Sequence, residues 1–144
     1  MSAVFEKVFG AKPPWLMGVV NVTPDSFSDG GCFSDPERAL CQARRLRSEG
    51  ADVIDIGGES TGPGARPVAV DEEIRRIGPV VAALARECFV SVDTYKSEVA
   101  DYCLGLGARM INDVSAARAD ARMPAVSPAI AARAWISIDA VTGQ

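Results

Sequence analysis

Short apolar, β-branched segments alternate along this chain with longer segments of helical periodicity, and this alternation restricts the fold more than any other feature. Strands and helices in alternation form βαβ units, so the sequence predicts an α/β protein with a parallel sheet. The strand segments are nearly continuous in apolar residues, as expected when helices cover both faces of such a sheet. The predicted strands are residues 16–22, 53–56, 89–93 and 110–114.

Three helices are predicted between these strands. The first begins at Asp35-Pro36, where Asp caps the helix and Pro fits its first turn, and it ends at Gly50. The third runs from Lys96 to residues 105–107. The second begins near Asp71 and has one apolar face, formed by Ile74, Ile77, Val81 and Leu84.

The C-terminal part of the chain is less regular. Residues 118–133 are rich in alanine, but Pro124 and Pro128 predict that any helix there is broken or only partial. Residues 134–138 are a candidate fifth strand. Two parallel architectures fit the pattern: an open, doubly wound sheet and a (β/α)8 barrel. No G-x-G-x-x-G follows the first strand, which weakens the dinucleotide-binding form of the open sheet without deciding between the two.

The absence of histidine from all 144 residues excludes several kinds of chemistry. A Ser-His-Asp triad, a Cys-His pair and a His-ligated zinc site cannot form, so carboxylates, amides, hydroxyls or an oxygen-bound metal must do the chemistry. Fifteen Lys plus Arg against nineteen Asp plus Glu give a net charge of -4, which argues against nucleic acid as a partner. No apolar run approaches the ~20 residues of a membrane span. We therefore expect a cytoplasmic protein without a membrane partner.

Amides or carboxylates stand at the C-terminal ends of nearly all the predicted strands. In parallel α/β folds these ends meet at the ligand-binding face, so the pattern favours a polar pocket suited to a nitrogen-rich heterocycle or to Mg²⁺. The alternative is that Asp and Asn end strands only because they initiate turns. The glycine-rich residues 57–64 allow close approach of an anion but equally suit a surface loop. The strand-end residues are Asn21, Asp55 with Glu59, Asp93, and Asn112 with Asp113.

Four segments, in order, resemble the signatures of dihydropteroate synthases, the folate-pathway members of the pterin-binding family. Residues 17–31 resemble the first signature, residues 50–64 the second, and residues 91–94 and 111–114 the pterin motifs of the third and fourth strands. The resemblance implies one pterin-binding domain over residues 1–144, with a weak match over 116–144. It also implies a (β/α)8 barrel, of which this chain covers the first half, because such barrels need about 250 residues.

The resemblance further implies a reaction that joins 4-aminobenzoate to 6-hydroxymethyl-7,8-dihydropterin diphosphate and releases diphosphate. Asn21 matches a ligand of Mg²⁺ and diphosphate, and Thr61 a diphosphate contact. Asp93 and Asn112 match groups that hydrogen-bond the pterin ring. The resemblance places four further residues in two loops that close over the substrates: Asp25, Phe27, Asp29 and Pro63.

The chain departs from the family pattern at several positions. Gly62 stands where the family has an anion-binding arginine, and Arg66 is near enough in sequence to be considered as its replacement. Ile138-Asp139 replaces a Met-His pair, and a later Asp, Lys, Arg and His have no counterparts. We therefore expect little or no turnover from these 144 residues alone.

Two alternatives to a synthase are a truncated remnant or pterin-binding module without turnover and, more remotely, a corrinoid-dependent methyltransferase domain. The expected partners are the two small-molecule substrates, and a homodimer is the assembly considered.

Overall fold

The computed structural model describes residues 15–23, 35–60 and 66–126. Strands and helices alternate along them, as the sequence predicts, and a short 3-10 helix, Met123–Ala125, follows the last strand. The candidate fifth strand lies outside the described residues. The elements are β1 (Met17–Asn21), α1 (Asp35–Ser48), β2 (Val53–Gly57), α2 (Val70–Leu84), β3 (Phe89–Asp93), α3 (Ser97–Gly105) and β4 (Met110–Asn112).

The four strands form one parallel sheet in the order β1-β2-β3-β4. Doubly wound sheets reverse their strand order at a switch point, whereas a (β/α)8 barrel adds each strand beside the previous one. The sequential order is therefore that of the barrel. The four described strands make an open arc rather than a closed barrel.

The two faces of this sheet differ in chemistry because successive side chains along a strand point to opposite sides. One face packs against the helices and is fully buried and apolar, as at Val20, Ile56 and Val92. The opposite face corresponds to the inside of a barrel. It carries the polar residues of the strands together with Val19, which is 47% exposed. The strand residues of this inner face include Asn21, Asp55, Gly57, Ser91, Asp93 and Asn112.

The helical predictions are largely confirmed. Helix α2 begins at Val70, and Ile77, Val81 and Leu84 on its predicted apolar face are buried, while Ile74 is half-buried. Within residues 118–126 the alanine-rich segment forms only the 3-10 turn that contains Pro124. No helix of the described residues is both long and apolar enough to cross a membrane.

Strand β4 is two residues shorter than the sequence predicts, because Asp113 starts a tight turn. Its carboxylate accepts hydrogen bonds from the backbone amides of Ser115 and Ala117, both at 2.8 Å. Ala116 and Ala117 have φ values of 65° and 55°, in the left-handed region. This turn ends the strand immediately after Asn112.

Candidate active site

The register of the sheet aligns the last residues of its strands. Asn21 pairs with Gly57, Gly57 with Asp93, and Asp93 with Asn112. Neighbouring strands lie about 4.8 Å apart, so these four residues make a short row at the carboxyl edge of the sheet. Three of the residues predicted from the sequence to bind ligands therefore lie at one edge, which is the ligand-binding face of such folds.

Gly57 leaves a gap in the middle of this row. A Cβ atom at Gly57 would lie 3.2 Å from Oδ1 of Asn21 and 3.7 Å from Cβ of Asp93. Any side chain at this position would occupy the space between the two polar groups. Because glycine has no side chain, the space between the amide of Asn21 and the carboxylate of Asp93 stays open.

Asp93 is a carboxylate in an acidic environment. Burial, followed by the negative charges of its neighbours, raises the pKa of Asp93 to about 7. Within the described residues, no lysine or arginine forms an ion pair with it. A ligand that offers N–H donors would therefore stabilise its ionised form. The acidic neighbours, in order of influence, are Asp55, Glu73, Asp113 and Glu59.

A second carboxylate lies one layer deeper on the same face. Asp55 is 2% exposed, and its Oδ2 accepts a hydrogen bond of 3.0 Å from Nδ2 of Asn112. Burial raises the pKa of Asp55, while hydrogen bonding from Ser91 and then from Asn112 opposes that rise. Oδ1 of Asp55 and Oγ of Ser91 make no hydrogen bond of standard geometry within the described residues.

Beside this row, a partly buried ion cluster connects three segments of the chain. Lys96, three residues after Asp93, donates hydrogen bonds from Nζ to Glu59 at 2.5 Å and to Glu73 of α2. Glu59 also accepts hydrogen bonds from the Tyr95 hydroxyl at 2.8 Å and from the backbone amide of Val68 at 2.9 Å. Glu73 is 1% exposed. The cluster holds the segments after β2 and β3 against the N-terminal part of α2.

The contact between β2 and α2 depends on a second glycine. A Cβ at Gly58 would lie 2.9 Å from both Cγ of Glu73 and Cγ2 of Ile77, too close for any side chain. Arg76 donates a hydrogen bond to the Gly58 carbonyl at 2.9 Å. These contacts fix the position at which the chain leaves the sheet after Gly57.

The sequence reasoning did not identify Lys96, Tyr95 or Glu73 as part of the site. One signal was available, because Glu73 precedes Ile77 by four residues and therefore lies on the apolar face of α2. An acidic side chain on a buried face requires a cation or several donors as partners. The position of that partner could not be deduced from sequence spacing.

The other predicted site residues fall into two groups. Arg66 is exposed, two residues before the Val68 amide that binds Glu59, so its segment runs beside the strand ends. Its role stays a prediction. Five predicted residues lie outside the described residues, and their roles also stay predictions: Asp25, Phe27, Asp29, Thr61 and Pro63.

Asn21 can act as a single oxygen ligand for Mg²⁺. It is exposed at the end of β1, and its Oδ1 faces the gap at Gly57. Within the described residues, no three carboxylate or thiol side chains are grouped so that they could hold a metal ion. Mg²⁺ commonly keeps several waters and takes one or two protein oxygens together with substrate phosphates. The role of Asn21 as a Mg²⁺ ligand stays a prediction.

These features define a class: an α/β protein of the TIM-barrel type, with a row of polar residues at the carboxyl ends of its parallel strands. The sequence profile of one known family, described as "Pterin binding enzyme", matches residues 17–141. The chain belongs to this family of pterin-binding enzymes.

Relatives of known identity agree with this assignment. The chain is 52% identical over 99 residues to the dihydropteroate synthase of Staphylococcus haemolyticus, a match that covers 68% of this chain and 37% of that protein. The dihydropteroate synthase of Clostridium difficile, solved in the presence of pteroic acid, superposes with a TM-score of 0.74 at 49% identity. That match covers 78% of this chain and 43% of the other.

A third comparison extends the agreement to a structure with 4-aminobenzoic acid. The dihydropteroate synthase of Xanthomonas albilineans with 4-aminobenzoic acid gives a TM-score of 0.74 at 52% identity, over 78% of this chain and 42% of the other. The predicted fold, the first half of a (β/α)8 barrel, is confirmed. The chain spans about two fifths of the length of these relatives.

Proposed function

We propose that this chain is the pterin-binding half of a dihydropteroate synthase. The reaction would join 4-aminobenzoate to 6-hydroxymethyl-7,8-dihydropterin diphosphate and release diphosphate. The observation that carries the proposal is the row formed by Asn21, Gly57, Asp93 and Asn112 at the carboxyl edge of the sheet. The relatives support it, since they are dihydropteroate synthases and two were solved with pteroic acid or 4-aminobenzoic acid.

In this proposal Asp93 and Asn112 bind the pterin ring. A pterin presents N–H donors on its pyrimidine edge, and a partly buried carboxylate without a cation is a strong acceptor for them. The amide of Asn112, the next residue in the row, supplies a neutral hydrogen-bonding group. The bare position at Gly57 leaves space beside Asp93 for the substituent of the ring to extend towards Asn21.

The chemistry needs no nucleophile or histidine base from the protein. When diphosphate leaves, positive charge develops on the pterin methylene carbon, and the amine of 4-aminobenzoate attacks that carbon. The carboxylate of Asp93 stabilises the developing charge, because it lies at the carboxyl edge of the inner face of the sheet. Mg²⁺ bound near Asn21 would supply neutralisation of the diphosphate charge.

The remaining parts of the proposal concern the loops and the assembly. Thr61 would contact the diphosphate, and Pro63, Asp25, Phe27 and Asp29 would belong to loops that cover the substrates. The chain would act in the cytoplasm on small molecules, without nucleic acid or membrane, and a homodimer is the assembly proposed. Light scattering coupled to size-exclusion chromatography tests the assembly.

Binding and turnover, measured separately, test the function. Titration calorimetry of the purified chain with 6-hydroxymethylpterin should give a saturable isotherm that Asp93→Ala abolishes. Asp101→Asn, an exposed substitution on α3, is the control and should bind like the wild type. No binding by the folded wild-type chain would refute the proposal. Binding without dihydropteroate formation, in the presence of Mg²⁺ and both substrates, would favour the pterin-binding module over the enzyme.

A further inference from the structure

We infer that Asp55 is a positioning residue, which orients the side-chain amide of Asn112 so that its oxygen is the group offered to the ligand. The choice of ligand, a pterin, rests on the proposed function. The orientation itself rests on the contact between two described residues and can be tested without a ligand.

The contact between Asp55 and Asn112 joins two strands, β2 and β4, that are separated by β3. Asp55 on β2 is in register with Ser91 on β3, which is in register with Met110 on β4, and Asn112 lies two residues beyond Met110 on the same face. Nδ2 of Asn112 nevertheless donates to Oδ2 of Asp55 at 3.0 Å. Ser91 lies between the two residues in the register, and its side chain is small enough for Asn112 to reach Asp55.

The chemistry of the two groups determines which end of the amide turns inward. An ionised carboxylate has only acceptor oxygens, whereas a carboxamide has one donor end and one acceptor end. The NH₂ group of Asn112 must therefore face Asp55, and its oxygen must lie on the other side of the group. A ligand at the row would then find an acceptor at Asn112 rather than a donor.

The burial of Asp55 indicates that its carboxylate binds protein groups and not water. It is 2% exposed on a strand whose other residues are also buried, and a carboxylate in such a place is costly unless it is paired. Its Oδ2 accepts a hydrogen bond from Asn112, and the hydroxyl of Ser91 on the same face also favours the ionised carboxylate by lowering its pKa. The hydrogen bond from Asn112 to this buried carboxylate therefore fixes the orientation of the Asn112 amide.

The first test is calorimetric and uses a double-mutant cycle. Asp55→Asn keeps the shape of the side chain but lets the amide of Asn112 pair in either orientation. We expect it to weaken binding of 6-hydroxymethylpterin about tenfold, with Asp101→Asn as the matched control. Because Asp55 acts through Asn112, adding Asp55→Asn to Asn112→Ala should weaken binding no further than Asn112→Ala alone. Independent, additive losses would overturn the positioning role.

The second test needs no ligand. In the wild-type chain, the side-chain ¹⁵N–H signals of Asn112 should show one downfield, exchange-protected proton that is absent from Asp55→Asn. Unchanged Asn112 signals in that variant would overturn the inference. If the wild-type chain binds no pterin, the proposed function fails while these signals still decide the orientation. If Asp55→Asn does not fold, the protection and shift of the amide protons in the wild-type chain decide it.

Discussion

Nζ of Lys96 lies 2.5 Å from Oε2 of Glu59, and this partly buried hydrogen bond helps to connect the segment after β3 to the segment after β2. The same ammonium group also binds Glu73 of α2. Two carboxylates and one ammonium thus share one site beside Asp93. The cluster holds the ends of the two central strands in a fixed relation, and the candidate ligand row depends on that relation.

Removing the ammonium group should be strongly destabilising. Lys96→Met would leave Glu59 and Glu73 without a cation, and Glu73 is almost fully buried. Breaking a buried ion pair on one side commonly costs about 3 to 5 kcal/mol, and we expect a loss in that range in urea denaturation. Arg45→Met, which breaks an exposed pair with Glu49, is the control and should cost under ~1 kcal/mol. Equal losses in the two variants would contradict the importance of the cluster.

The stability of the chain should decrease as pH rises from about 4 to about 7 because of Asp93. Its pKa is raised from 3.8 to about 7, so in this range the folded state keeps a proton that the unfolded state has lost. The stabilisation is complete below pH 3.8 and is lost as pH rises through about 7. Asp93→Asn should flatten this part of the curve of unfolding free energy against pH. A variant whose curve parallels that of the wild type over this range would show that Asp93 is not the group responsible.

Asp93→Asn should also weaken the binding of the pterin. Asp93→Asn replaces an anionic acceptor with an amide, and we expect pterin affinity to fall by about 1.5 to 3 kcal/mol through the loss of a charge-assisted hydrogen bond. Calorimetry above pH 7, where the wild-type carboxylate is ionised, gives the comparison. Equal affinities would remove Asp93 from the proposed pterin site.

Glycine in the turn after β4 should stabilise the fold. Ala116 and Ala117 have positive φ angles, which cost an L-residue with a Cβ about 1 to 2 kcal/mol each. Part of this gain is lost to the greater chain entropy of glycine in the unfolded state. We expect Ala116→Gly or Ala117→Gly to raise the free energy of unfolding by up to ~1 kcal/mol. Ala83→Gly, within α2, should lower it by about 1 kcal/mol. If all three substitutions lower the free energy of unfolding, the backbone of Ala116 and Ala117 is not strained.

Asn21→Ala should weaken the binding of diphosphate in the presence of Mg²⁺ without affecting the fold. Asn21 is exposed, so its truncation removes the proposed ligand oxygen and little packing. We expect about a tenfold loss of diphosphate affinity with Mg²⁺ present, as for the loss of one hydrogen bond or ligand to a charged group. Gln42→Ala, exposed on α1, serves as the control. If affinity is the same in Asn21→Ala and wild type with Mg²⁺ present, Asn21 is not a ligand.

The fold was largely predictable because its determinants are local. The alternation of β-branched runs with helical periodicity predicted the order of the elements, and a buried face such as Ile77, Val81 and Leu84 followed from helical spacing. Strand β4 was predicted too long, since the side chain of Asp113 competes for backbone amides at the strand end. Periodicity alone left two parallel architectures open, and the sequential strand order decided between them.

The sequence by itself determined that Asn21, Asp93 and Asn112 stand at strand ends, and parallel strands necessarily bring such ends to one edge of a sheet. Only the tertiary structure decided which side chains touch. Asp55 and Asn112 are 57 residues apart and Lys96 and Glu59 are 37 apart, and each contact depends on strand register and helix packing. The gap at Gly57 arises in the same way, from the side chains of two neighbouring strands. Hydrophobic periodicity determines which face of an element is buried, but distances between elements are set by the packing of the assembled chain.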